Sequence, residues 1–390
     1  MGNSSLANAY ASNELHDYLD EFVGLVHPLT NFSLTLQTKN QDMLHFDSDY
    51  MRGCCPEILD RLVATNMEQT VGYGADEYTM RARRLILDAC GLERGDVYLL
   101  VGGTQTNSTV IDGALHKTQG VICAEQGHIN VHEAGAIESC GHKVIALPSA
   151  DGKITGAQVR DYLRSFYADE TYEHMVLPGM VYISQPTEFG LLYSLEELTQ
   201  LSQACHEYGI LLYIDGARLG YALGCQDNDV TLKDLARLAD VFYIGGTKVG
   251  TLFGEAVVVP NPEILPHFFT LIKQHGALLA KGRLLGIQFE TLFEDGLYER
   301  LGRNGVDMAR QLCEMFASHG FAPYSPSPTN QQFFELPNEL TDYLMPHASF
   351  EYWGPRGETQ SLVRFVTDWG TPQSDIDDLS QLINSYQSTH

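Results

Sequence analysis

The chain has 390 residues, 44 % of them hydrophobic, which is enough to bury a large core and to form more than one domain. Its 50 acidic residues against 24 basic ones give a net charge of −26, a surface that repels phosphate backbones and anionic membranes, so neither nucleic acid nor membrane is an expected partner. The 8 cysteines show no C-x-x-C and no framework spacing, and read as reduced thiols of a cytoplasmic protein.

Residues 1–45 are polar, carry a helical pattern from Glu14 to Val26, and read as an N-terminal arm or extension. The opening Met1-Gly2-Asn3-Ser4-Ser5 lacks the basic and apolar regions of a secretory signal. Residues 46–262 form the expected large domain. There, short apolar strands alternate with amphipathic helices such as Leu195 to Tyr208, the βα rhythm of an α/β fold with a mostly parallel sheet flanked by helices.

Several of these strands end in chemistry. Val97 to Val101 runs into Gly102-Gly103-Thr104, after which Val110, Ile111, Ala114 and Leu115 mark a helix. Glycines let backbone approach an anion, the first helical N–H groups favour its charge, and Thr104 adds a hydroxyl; the same pattern also begins helices that bind nothing. The strand Gly120 to Ala124 precedes His128, and His132 follows at a spacing that could pair on a metal. No third ligand is evident, and no metal is expected. Gly209 to Asp215 delivers a carboxylate to a strand end, although an Asp before Gly is also a common turn or cap residue.

The run Asp240 to Gly245 continues through Gly246-Thr247 to Lys248. A lysine on a glycine-framed turn is either an ordinary surface cation or, if desolvated, a nucleophile that has lost its proton well below its free pKa of about 10.4. In open α/β sheets ligands bind beyond the carboxyl ends of the strands, so Asp215 and Lys248 are expected to face one crevice. An Asp on a pyridine nitrogen with a Lys on an aldehyde is what pyridoxal phosphate requires.

Leu265 to Phe316 reads as largely helical. After a proline-rich turn (Pro323, Pro326, Pro328), strands Gln332 to Leu336 and Ser361 to Thr367 and a helix from Gln373 to Ser385 complete a small C-terminal α+β domain, residues 263–390 in all. Within Leu362-Val363-Arg364-Phe365-Val366, Arg364 is costly to place unless its fork meets a carboxylate such as that of an amino acid. The alternative is an edge-strand cation facing water.

Taken in order, Asp47-Ser48-Asp49, Gly72-Tyr73-Gly74, Gly103-Thr104-Gln105-Thr106-Asn107, the run His128 to Gly135, Asp215-Gly216-Ala217-Arg218, Gly246-Thr247-Lys248 and Val363 to Thr367 resemble the threonine aldolases of the β-eliminating lyase group, within the aspartate-aminotransferase-like pyridoxal 5'-phosphate enzymes. Lys281 to Phe289 and Gly254-Glu255-Ala256 look like one version of that group. The resemblance implies that Lys248 holds the cofactor aldehyde and Asp215 pairs with the pyridine nitrogen. It further implies that Arg218 contacts the ring's 3-oxygen, Gly103 and Thr104 hold the phosphate, and His128 stacks on the ring. On the residues alone, Arg218 offsets the charge of nearby Asp215 or forms a local salt bridge.

The resemblance assigns Ser48 and Arg364 to the substrate carboxylate and Tyr73 to the active-site wall. It sends Lys273 toward the phosphate in a neighbouring subunit, so a homodimer or homotetramer with shared sites is implied. Glu188 stands where some members carry a histidine at the hydroxyl side of the substrate, which leaves the identity of the hydroxyl base open; the expected base is His128 or a water it positions. The activity implied is retro-aldol cleavage of L-threonine, L-allo-threonine or a related β-hydroxy-α-amino acid to glycine and an aldehyde. An amino-acid racemase, a β-eliminating lyase and an inert cofactor-binding protein are the alternatives on the same scaffold.

Overall fold

A computed structural model describes residues 43–389. The arm expected over residues 1–45, with its helical stretch from Glu14 to Val26, lies outside the described residues except for its last three positions.

The centre is a seven-stranded sheet built from β1 (Asp96–Leu100), β2 (Gln119–Ala124), β3 (Val144–Leu147), β4 (Leu177–Ser184), β5 (Leu211–Asp215), β6 (Val241–Gly245) and β7 (Glu255–Val259). Its order is β1-β7-β6-β5-β4-β2-β3, and only β7 runs antiparallel to its neighbours. The expected mostly parallel sheet is present. Its strands are continuous apolar runs because both faces are covered, and alternate side chains enter different cores. Leu212, Ile214, Phe242 and Ile244 join one apolar cluster, while Tyr213, Val241 and Tyr243 join the cluster on the opposite face.

The flanking helices begin where their sequences provide caps. Helix α1 (Pro56–Ala64) starts on a proline and α2 (Glu77–Ala89) on Asp76, whose carboxylate accepts from the Thr79 N–H. Helices α4 (Gly156–Ala168) and α5 (Leu195–Glu207) start with reciprocal capping boxes, Thr155 with Gln158 and Ser194 with Glu197. By contrast α3 (Gly103–Ala114), between β1 and β2, has no side-chain cap. Helices α6 (Phe268–Gln274) and α7 (Arg283–Phe293) follow β7.

The long helix α8 (Leu297–Ser318) leads to a three-stranded antiparallel sheet of β8 (Gln331–Pro337), β9 (Glu351–Arg356) and β10 (Gln360–Val366), with β10 in the middle, closed by α9 (Gln373–Thr389). This is the expected small α+β unit. The apolar clusters divide the chain differently from a cut at residue 263. Leu265, Phe268 and Ile272, then Phe289, Leu292 and Tyr298, pack on the large sheet, and the separate small core begins with Leu312, Met315 and Phe316 on α8. Phe46 also belongs to that small core, while Leu44–His45 pairs in parallel with Ala348–Ser349. The segment from Asp47 to Asp49 therefore leaves the small unit directly toward the ends of the large sheet's strands.

Candidate active site

The carboxyl ends of β1, β2, β4, β5 and β6 share one edge of the sheet, and the antiparallel β7 begins there. A cavity of about 220 Å³ lies at that edge, lined by Gly103, Thr104, His128, Glu188, Asp215, Arg218 and Lys248 among others. Seven of the residues singled out in the sequence, from five different loops, therefore meet at one place. A larger cavity of about 640 Å³ opens between α8 and the loop around Cys225, but no lysine lines it.

Asp215 is buried, and each of its two oxygens accepts two hydrogen bonds. Oδ2 accepts from the Tyr182 hydroxyl at 2.6 Å and Asn107 Nδ2 at 3.0 Å; Oδ1 accepts from the Tyr243 hydroxyl at 2.5 Å and the Ala217 N–H at 2.9 Å. Burial opposes the charge, but the His128 ring, the two phenols and the amide outweigh it and hold this carboxyl below its usual range. Gly216 makes the turn possible, since a Cβ there would stand 1.9 Å from the carbonyl oxygen of Tyr243 on the next strand.

Lys248 follows β6 and is half-buried beside Arg218. Burial first, and then the Arg218 cation, push its ammonium pKa below the ordinary lysine value, which favours the free amine a nucleophile requires. The structure corrects the expected partner of Arg218. Its guanidinium grips Asp49, not Asp215, with Nε 2.7 Å from Oδ2 and Nη2 3.1 Å from Oδ1, and Asn330 Nδ2 adds a bond to Asp49 at 2.9 Å. At the start of β7, Glu255 accepts from the Thr247 hydroxyl at 2.7 Å and the Gly246 N–H at 3.2 Å, and burial raises its carboxyl to about 8. The motif containing Glu255 was visible in the sequence, whereas its place beside Lys248 was not.

His128 is oriented by Glu133, a member of the run His128 to Gly135 whose role was not visible in the sequence. Nδ1 lies 2.7 Å from Glu133 Oε1, and Asn107 Nδ2 donates to that same oxygen at 2.7 Å. A carboxylate at Nδ1 accepts a hydrogen bond from Nδ1–H, so in the neutral imidazole Nε2 carries the lone pair. Asn107 thus links Glu133 to Asp215, and the Tyr213 hydroxyl fixes the amide by donating to its Oδ1 at 2.8 Å. Glu188 Oε1 accepts from the His128 N–H at 2.9 Å and the Ser184 hydroxyl at 2.8 Å, and burial raises its carboxyl pKa.

The residues fit pyridoxal 5'-phosphate. Uncapped first-turn amides of α3 offer donors for a phosphate beside the Thr104 hydroxyl, and a Cβ at Gly103 would crowd the Tyr243 hydroxyl at 3.3 Å. Asp215 offers an anion for a ring nitrogen, and Lys248 an amine for an aldehyde.

Ser48 and Arg364 do not line the cavity, but both lie next to it and both hold unused donors. The Ser48 hydroxyl and Arg364 Nε are buried without a partner among the described residues. Arg364 sits on the central strand β10 rather than at an edge; Nη1 donates to Gln331 Oε1 at 2.7 Å, and Nη2 is ion-paired with Glu351. The charges of Arg218 and Asp49 reach it. Tyr73 and Lys273 are elsewhere. Lys273 Nζ lies 4.6 Å from the centroid of the Tyr73 ring, neither residue lines this chain's cavity, and Tyr73 is 46 % exposed with φ at 60°.

A family model described as beta-eliminating lyase matches residues 45–339. The low specificity L-threonine aldolase of a Pseudomonas species is 30 % identical over 88 % of this chain and 98 % of its own length, and that of Pseudomonas aeruginosa is 30 % identical over 86 % and 96 %. Among solved structures, the threonine aldolase of Leishmania major superposes with a TM-score of 0.85 at 40 % identity, covering 88 % of this chain and 99 % of its own. A putative L-allo-threonine aldolase from Listeria monocytogenes, 18 % identical with a TM-score of 0.67 over 90 % of this chain and 98 % of its own, shares the fold. With a pyridoxal phosphate site at its strand ends and relatives matching nearly end to end, the chain belongs to the threonine aldolase and β-eliminating lyase family of aminotransferase-like enzymes.

Proposed function

We propose that this protein cleaves the Cα–Cβ bond of L-threonine, L-allo-threonine or a related β-hydroxy-α-amino acid, releasing glycine and an aldehyde. The observation that carries this reading is the convergence of Lys248, Asp215 and an acid-oriented His128 on one cavity. When bound, pyridoxal 5'-phosphate supplies a conjugated, positively charged ring that accepts the electron pair left on the substrate's α-carbon. Asp215, held ionised, is the residue to keep that ring charged, and the uncapped start of α3 with Thr104 is the residue set to hold the phosphate.

The orphan donors of Ser48 and Arg364 receive the α-carboxylate. Fixing that group selects which bond at Cα is aligned for cleavage. His128 Nε2, directly or through a water, takes the β-hydroxyl proton, while Glu133 stabilises the resulting imidazolium through Nδ1. Burial keeps Glu188 protonated to higher pH than an ordinary glutamate, which makes it the weaker candidate for that base. In the same reading Tyr73 and Lys273 complete the site of a second copy of this chain, because they pair at an exposed position away from their own cavity. The eight cysteines are all free thiols, which supports a reducing, cytoplasmic setting.

Incubation of the cofactor-loaded protein with L-threonine, L-allo-threonine, phenylserine and L-alanine, followed by chiral product analysis, tests the proposal. Glycine with an equivalent of aldehyde is the expected result. Inversion of alanine with no aldehyde from the hydroxy amino acids would transfer the assignment to a racemase.

A further inference from the structure

The last turn of α3, the turn leading into β3 and the end of α6 bring Asp112, Cys140, His142 and His275 together, away from the catalytic cavity. One donor atom each from Asp112, Cys140 and His275 lie within 4.8 Å of one another, the one such group of metal-type side chains among the described residues. His275 Nε2 is 2.8 Å from Asp112 Oδ2, and His142 Nε2 approaches Asp112 Oδ1 at 3.5 Å from the other side.

His142 gives the cluster its meaning. It is buried, and its Nδ1 stands 3.0 Å from the carbonyl oxygen of Gln119, a pure acceptor, so Nδ1 carries the proton. In the neutral ring Nε2 then turns a lone pair toward a carboxylate oxygen that also only accepts. Two acceptors facing each other need a cation between them, either a second proton on the ring or a metal. A backbone carbonyl on the far nitrogen is also the anchoring that orients metal-binding histidines.

We infer that Asp112, Cys140, His142 and His275 form a structural site for a divalent cation of the zinc class. One thiolate, two imidazoles and one carboxylate are a donor set that suits zinc, with bonds of about 2.0–2.3 Å; Asp112, Cys140 and His275 already stand together, and His142 joins them by closing from its place 3.5 Å from Asp112. Binding displaces the thiol proton of Cys140 and shifts the His275 proton from Nε2, where it bonds Asp112, to Nδ1, so the site releases one proton as it fills. The ion would tie the far end of α3, whose first turn faces the cavity, to the helix that carries Lys273.

The test uses the untagged holoenzyme, loaded with zinc or cobalt(II) and dialysed against metal-free buffer. Elemental analysis should find about one metal per chain, a structural site being closed and tightly held. Cobalt should add visible bands beyond the cofactor absorbance and a thiolate charge-transfer band, and zinc should protect Cys140 from alkylation in peptide mass analysis. Cys140→Ser and His142→Gln should lose the metal with the cofactor absorbance unchanged. The alkylation and cobalt measurements on the unaltered protein decide the matter even where a variant does not fold. Metal at or below the order of a tenth of an equivalent, or cobalt bands without thiolate character, would overturn the site.

Discussion

The two ends of the substrate region are built on opposite principles. On the large sheet, Asp215 has four donors, Asn107 is fixed from both sides, and His128 is tied to Glu133, whose second oxygen is buried without a partner among the described residues. At the small unit, Arg364 on β10 and Ser48 on the segment leaving that unit keep buried donors unused, and the Arg364 fork is partly occupied by Glu351. An unsatisfied buried donor costs about 1–3 kcal/mol, which a carboxylate-bearing ligand recovers on binding. The lesson is that the catalytic end is preorganised, while the carboxylate end is left for the substrate to complete.

The largest effect is expected at the covalent anchor. Lys248→Ala should lower activity by at least about 10³-fold and abolish the visible absorbance that borohydride bleaches in the wild type, with the circular dichroism unchanged. A variant that kept the borohydride-sensitive chromophore would remove Lys248 from its role.

Arg364→Ala probes the unfinished end. Loss of a buried carboxylate partner should reduce kcat/KM by about 10²-fold, about 2.7 kcal/mol, mostly through KM. Equal loss in kcat with KM unchanged would mean that Arg364 does not hold the substrate's ground state, and would break the contrast between the two ends.

Tyr243→Phe probes the preorganised end. Taking one hydrogen bond from a charged acceptor costs about 1.5–3 kcal/mol, so cofactor affinity measured by absorbance titration should fall by about 10-fold or more. Unchanged affinity would show the network to be redundant.

A different, pH-dependent effect is expected at Glu255. Below pH 4.5 its carboxyl is neutral in both folded and unfolded chains; between 4.5 and about 8 only the unfolded chain ionises it, so the native state loses stability as pH rises through that window. Glu255→Gln removes this loss. The Tm of the variant relative to wild type should therefore climb from pH 4.5 to about 8 and then level off. A constant difference would place Glu255 outside the set of groups whose protonation folding changes.

Much of the site was legible because its residues interrupt apolar strands at glycine-framed ends, where Asp215 and Lys248 have no business unless a ligand calls for them. Glu133 and Asn107 stood in motifs without a role, and the phenols of Tyr182 and Tyr243 were not legible, since a tyrosine inside a strand reads as core, and its hydroxyl acquires a target only when neighbouring strands fall into register. Arg218 was seen, yet its partner Asp49 lies 169 positions away, so local spacing pointed to the wrong acid. The same distance problem hid Asp112, Cys140, His142 and His275.

Sequence alone determined the alternation of strands and helices, the side chains placed at strand ends and the glycine-framed start of α3, because hydrophobic period, glycines and caps act over a few residues. Tertiary structure decided which donors are saturated, which acids stay charged and which face each of Tyr73 and Lys273 occupies. Those properties depend on burial and on contacts between segments distant in the chain, and neither is a function of local sequence.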